Sequence, residues 1–138
     1  MSASEQTARE RLHEYYAALR NGEPLYPFFV EDPAIVKYGI TEKLTGYAEV
    51  EAGLRAQSAS TAAWSVESHD LRVTERDEYA WFADDVRMAW TDTERDRTYD
   101  FESRWSGTLE RRTPDSEAEQ WLFVGMHVSA VPDTDLAE

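Results

Sequence analysis

The sequence predicts an α+β domain in which N-terminal helices pack on a strongly curved antiparallel sheet, and three observations lead there. Helical periodicities fall before Ser58, whereas four long extended runs follow from Thr61 onward. Helices first and a meander of strands afterwards is the α+β order. The runs are about a dozen residues each, beyond the usual strand length of about five or six, so the sheet must bend. Apolar residues make up 41% and aromatics 12% of the chain, with five Trp and seven Tyr, which is enough for a core. At 138 residues the whole chain, 1–138, is expected to be one domain, of a size that buries roughly 68% of its unfolded surface.

Between Ser4 and Arg20, Ala8, Leu12, Tyr15, Tyr16 and Leu19 recur at three- and four-residue spacing and define an amphipathic helix. Ser4 and Thr7 offer N-cap hydroxyls, and Asn21-Gly22 supplies the stop. A short helical piece is expected over Leu25 to Phe29 after Pro24, and Glu31-Asp32-Pro33 then turns the chain. Ala34-Ile35-Val36-Lys37-Tyr38 is β-branched and reads as a strand ending at Gly39. A further helix runs from Gly46 to Ser58, with Tyr47, Val50 and Leu54 on its apolar side and Ala56 as a further candidate. Strands follow over Thr61–Thr74, Tyr79–Thr91, Thr98–Arg111 and Gln120–Val131. Polar turns at Glu75-Arg76-Asp77, Asp92-Thr93-Glu94 and Thr113-Pro114-Asp115-Ser116 separate them, Gly107 and Gly125 are expected bend points, and Pro132–Glu138 is read as a frayed tail.

Alternation assigns the faces. Phe82, Val86, Met88 and Trp90 share one side with Asp84, while Asp85 and Arg87 take the other. In the last strand both sides are apolar: Leu122, Val124, Met126 and Val128 on one, Trp121, Phe123 and Val131 on the other. Two apolar faces need two covers. The helices supply one, and a second subunit covering Trp105, Trp121 and Phe123 supplies the other, so a homodimer through the sheet is expected.

Charge narrows the partners. Twenty-eight acidic residues face 14 basic ones for a net charge of −14, and the basic clusters are as short as Arg111-Arg112. Nucleic acid and anionic membranes are disfavoured, since both require a basic surface. Only Lys37 and Lys43 are lysines. So acidic a chain fits a halophilic source, because molar salt shortens electrostatic screening to about 3 Å and removes self-repulsion. The absence of cysteine excludes disulfides, iron–sulfur clusters and thiolate chemistry. The N-terminus lacks a basic start and an apolar run, no stretch has the roughly 20 apolar residues of a membrane helix, and a cytoplasmic location is expected.

Tyr15-Tyr16-Ala17-Ala18-Leu19, Phe28-Phe29-Val30-Glu31-Asp32, Arg104, and the stretch from Trp121 to His127-Val128-Ser129 occur in an order that resembles the SnoaL-like branch of the nuclear transport factor 2-like superfamily. The resemblance spans nearly the whole chain and implies a cone-shaped α+β barrel. The ending also resembles the association domain of calcium/calmodulin-dependent kinase, where two arginines line a deep pocket. Arg104 matches the first, and Val128 stands at the second. Superfamily members include cyclases, isomerases, dehydratases and non-catalytic assembly domains, so function must come from the interior of the cone.

Asp84 on an apolar stripe is the sharpest anomaly, because a buried carboxylate must neutralise or find a partner. It reads as a raised-pKa carboxyl beside a phenol from Tyr15 or Tyr16, as one half of a salt bridge to Arg104, or as a side chain brought to the surface by a bulge. Alternation groups Arg104 with Asp100, Glu102 and Ser106, a polar set that suits either water or a polar interior, and the resemblance alone turns it inward. His127 is a candidate general base or a structural core histidine. The candidate catalytic set is therefore Asp84, Arg104 and His127. Tyr15, Tyr16, Trp64, Phe82, Met88, Trp90 and Met126 either line a pocket for a flat apolar molecule or simply fill the core.

His13, His69 and His127 lack metal-ligand spacing, and no phosphate-binding glycine loop is present, so neither metal nor cofactor is expected. Two functions compete. One is a binder of a small hydrophobic metabolite, extending to a cofactor-independent isomerase, cyclase or hydro-lyase. The other is a non-catalytic dimerisation or interaction module with its cone filled.

Overall fold

A computed structural model describes residues 6–113 and 119–132. Helix α1 spans Ala8–Asn21 and begins with a capping box: the Glu10 amide donates to the Thr7 hydroxyl at 3.1 Å and the Thr7 amide to the Glu10 carboxylate at 2.9 Å. Gly22, in the left-handed region at φ 70°, ends it. A 3₁₀ turn covers Tyr26–Phe28. Strands β1 (Val36–Tyr38) and β2 (Lys43–Thr45) form a short hairpin that leads into α2 (Tyr47–Ser60). The sheet continues with β3 (Thr61–Ser68), β4 (Arg72–Glu75), β5 (Tyr79–Asp92), β6 (Arg97–Arg112) and β7 (Gln120–Ala130). The Ser4 cap, the Pro114-Asp115-Ser116 part of the last turn and the tail beyond Pro132 lie outside the described residues.

Three features correct the sequence-based picture. The run from Thr61 to Thr74 is two strands, because Asp70 turns out of the ladder: its amide donates to Asp84 Oδ1 at 3.0 Å while the His69 amide donates to the Asp85 carbonyl at 2.8 Å. The sheet is mixed, since β1 pairs in parallel with β7. Its strand order is β2-β1-β7-β6-β5-β3, with β4 also on β5, and the ends do not meet, so the curved sheet stays open and is not a closed barrel.

Curvature comes from two irregularities. In β7, Thr108 pairs with Gly125 and Leu109 with Phe123, so Val124 is an extra residue. Beside it Gly107 is required by close approach: a Cβ there would sit 2.3 Å from the Gly125 carbonyl oxygen and 2.9 Å from the Phe82 ring. The bulge reverses the alternation, so Trp121 and Phe123 turn to the same inner side as Met126 and Val128. All four are buried, as is Trp105. The expected outer patch of Trp105, Trp121 and Phe123 is therefore core within one chain. In β3, Ala63 and Trp64 together oppose Trp90, and Ala63 is forced to φ 58°.

The core lies between the inner face of the sheet and α1. Tyr15 packs edge-on against Phe28, Phe29, Trp105 and Phe123, with ring centroids 5.1–6.3 Å away. The outer face is polar over much of its area, and Arg87 there bridges Asp100 and Glu102 at 3.1 and 3.0 Å. Tyr79 and Trp81 are the large aromatics it exposes. No helix among the described residues is long and apolar enough to cross a membrane.

Candidate functional site

A cavity of about 130 Å³ opens between the inner face of the sheet and the helices. Its floor is buried: Tyr15 and Leu19 from α1, Met88 from β5, Trp105 from β6, and Met126 and Val128 from β7. Its rim is partly exposed, formed by Gly39, Ile40, Thr41 and Glu42 between β1 and β2 and by Gln57 and Thr61 at the junction of α2 and β3. One wall is aromatic. The β3 bulge lays Trp64 flat on Trp90, centroids 4.7 Å apart and planes 17° from parallel. The Trp64 indole N–H donates to Thr61 Oγ1 at 2.8 Å, and that hydroxyl donates to the Gln57 carbonyl at 2.6 Å, so the ring is held in place.

The polar end of the cavity is an ion pair. Lys37 points inward from β1, in register with Met126, and its Nζ meets Glu42 Oε1 at 2.5 Å. The two side chains are 7% and 30% exposed, so the ammonium is enclosed and the carboxylate stands at the mouth. Gly39 makes this possible. A Cβ at that position would lie 2.7 Å from Glu42 Cγ and 2.9 Å from its Oε1, so the missing side chain is the space into which Glu42 folds back. Burial, and secondarily the Glu42 charge, pushes the Tyr15 phenol well above its ordinary pKa. Tyr15 therefore stays a neutral hydroxyl at the floor.

Of the residues expected from sequence, Tyr15, Trp64, Met88, Trp90 and Met126 lie together around this cavity. Tyr16 and Phe82 are buried outside its lining. Asp84 is inward and buried as its alternation implies, but its partners are the Tyr16 hydroxyl at 2.8 Å and the Asp70 amide at 3.0 Å rather than Arg104. Burial first, then the hydrogen bond to Asp84 and its charge, raises the Tyr16 pKa far above its ordinary value. This network ties α1 to β5 and the β3–β4 turn.

Arg104 departs from the resemblance-based placement. It and His127 are exposed on the outer face, where Arg104 pairs in register with Asp85 and Ser129; they line a surface groove that Asp84 also borders, but the Asp84 carboxylate turns inward to Tyr16. Alternation alone had left both faces open for Arg104. Sequence reasoning missed Lys37 and Glu42. The available signal was Lys37 itself, a lone cation inside the apolar run Ala34–Tyr38 in a chain with two lysines. Among the described residues, no group of three or more His, Asp or Glu side chains is placed to hold a metal ion.

The SnoaL-like domain family profile matches residues 8–134. Similar solved structures include a protein named as a dehydratase of the NTF2-like family from Streptomyces avermitilis, at 17% identity and TM-score 0.75, covering 93% of this chain and 96% of the other. Another is named as a scytalone dehydratase from Novosphingobium aromaticivorans, at 16% identity and TM-score 0.71, covering 94% and 86%. A third is named as a calcium/calmodulin-dependent protein kinase type II association domain from Thiobacillus denitrificans, at 18% identity and TM-score 0.70, covering 91% and 96%. Identities this low show the fold alone. No curated protein is a significant match to the sequence.

Proposed function

This chain belongs to the SnoaL-like domain family, and on that premise we propose that its cavity binds a small, flat, largely apolar molecule carrying one oxygen function. The observation that carries this reading is the pairing of a stacked-tryptophan wall with a buried Lys37–Glu42 ion pair in one enclosure. Size sets the class. An apolar protein cavity of about 150 Å³ holds one benzene, so about 130 Å³ accommodates a single ring, with substituents directed to the open rim. A fused polycyclic skeleton is too large for the enclosed part.

Polarity sets the anchor. Lys37 offers a donor and Glu42 an acceptor at the same end, which suits a phenol or a carbonyl. A pair of this kind can move a proton on its ligand without a cofactor, the chemistry of an isomerase, cyclase or hydro-lyase. Two of the similar structures bear the name dehydratase, and loss of water is one such reaction. The open cavity favours this over a non-catalytic module with a filled cone.

We further propose a homodimer through the outer sheet face, supported now by exposed Tyr79 and Trp81 rather than by the buried aromatics. Light scattering should give twice the 15.9 kDa chain mass, and a monomer at micromolar concentration removes the dimer.

Calorimetric titration with phenol and toluene tests the binding reading. Wild type is expected to prefer phenol by about tenfold, the value of one hydrogen bond to a charged partner, and Lys37→Met to lose that preference. Absence of saturable binding by either compound contradicts the reading.

A further inference from the structure

Lys37 has a chemical capacity that ligand binding leaves unused. It is a primary amine, 6% exposed, at the polar end of an apolar cavity, with a carboxylate 2.5 Å from its nitrogen. The chain's other lysine, Lys43, is exposed on β2 and lines no part of that cavity. The Lys37 amine meets Glu42, and Lys37 shares the cavity lining with its register partner Met126 and with the neutral phenol of Tyr15. Glu42 is therefore the proton acceptor in contact with the amine, and its partial exposure at the mouth lets it move.

We propose that Lys37 forms a covalent imine with small aromatic aldehydes or ketones that enter the cavity, with Glu42 carrying the proton. This rests on the proposed reading of the cavity as a single-ring ligand site. The Lys37 ammonium gives one proton to the Glu42 carboxylate, and the neutral amine adds to the carbonyl carbon, forming the C–N bond of a carbinolamine. Glu42 returns its proton to the carbinolamine hydroxyl, the C–O bond breaks, and water leaves. The sum is ammonium plus carbonyl going to protonated imine plus water, with no oxidant or reductant involved. A nucleophilic lysine requires an apolar enclosure and a nearby base, and these residues supply both.

The loop supports the same assignment. Glu42 reaches Lys37 because Gly39 leaves room for its folded-back side chain. A methyl group at Gly39 meets the Glu42 side chain, Cγ at 2.7 Å and Oε1 at 2.9 Å, rather than backbone, so Gly39→Ala displaces the carboxylate while keeping every charge in the chain. It separates the proton carrier from the amine without removing either.

The test incubates the full chain with benzaldehyde and cyanoborohydride, which reduces an imine to a stable benzyl amine, and locates the adduct by peptide mass mapping. Benzaldehyde binding is followed in parallel by tryptophan fluorescence without the reductant. The expected result is one benzyl group on Lys37, formed about tenfold or more faster than on exposed Lys43, since a bound aldehyde reacts with the advantage of proximity. Gly39→Ala should slow labelling of Lys37 while leaving that of Lys43 unchanged, and Lys43→Arg should leave labelling of Lys37 intact. Saturable binding with no adduct on Lys37, or an adduct confined to Lys43 and the N-terminal amine, overturns the imine and leaves the binding reading standing. No saturable binding at all overturns both. The mapping reads wild-type Lys37 directly, so no variant of that buried residue needs to fold.

Discussion

The Tyr16 hydroxyl donates to Asp84 Oδ2 at 2.8 Å, and neither residue has appreciable contact with solvent. The Asp70 amide donates to the other carboxyl oxygen at 3.0 Å, so one buried carboxyl group joins α1, β5 and the β3–β4 turn. It is satisfied by donors of the fold and lies outside the cavity lining. Asp84 is thus tied into the fold by two hydrogen bonds.

Tyr16→Phe is expected to lower stability by about 2 kcal/mol, the usual value of a hydrogen bond to a charged group. Asp84→Asn should cost less, since the amide oxygen still accepts one of the two hydrogen bonds. Urea denaturation of both variants and the double mutant checks this. A coupling energy indistinguishable from zero would break the link between the two residues.

Alkaline pH exposes the same burial. Tyr15 and Tyr16 are both raised above the ordinary phenol value of 10.0, so the folded state keeps protons that the unfolded state releases. Their contribution is fully present below pH 10 and is lost as pH rises beyond it, at about 1.4 kcal/mol per pH unit for each tyrosine. Denaturation midpoints above that pH should fall less steeply in Tyr15→Phe than in wild type, and parallel curves would contradict the assignment.

Backbone strain at the β3 bulge makes a third prediction. Ala63 holds φ 58° beside Trp64. An L-residue there costs about 1–2 kcal/mol, whereas glycine sacrifices about 0.5–1 kcal/mol of backbone entropy. Ala63→Gly should stabilise the fold by roughly 0.5–1 kcal/mol, and a lower melting temperature would show that the bulge is not strained.

Much of the fold was legible because it rests on periodicity. Leu12, Tyr15, Tyr16 and Leu19 marked the buried stripe of α1, and the alternation from Phe82 to Met88 marked the inner face of β5. The inserted Val124 was not legible, since one extra residue reverses every later side chain without altering composition. That single bulge turned an apparent second apolar face into core. The cavity's aromatic wall could be read as a list of large residues, whereas its polar end left only one trace, Lys37 inside the apolar run Ala34–Tyr38. Lys37 and Glu42 meet across a hairpin whose two three-residue strands are too short to show a pattern, and the second of them was not anticipated.

Salt should act on the chain as a whole. A net charge of −14 repels itself in dilute buffer, and molar KCl screens it. The melting temperature is expected to rise from dilute buffer to molar KCl, and an unchanged value would count against salt adaptation.

The most direct test of the central claim is a crystal structure of the protein soaked in phenol. The expected result is a ring in the cavity between Trp64, Met88 and Met126, with its oxygen within hydrogen-bonding distance of Lys37 Nζ or the Glu42 carboxylate. A cavity left empty at saturating phenol, or a ring bound only on the outer face beside Arg104 and His127, would contradict it.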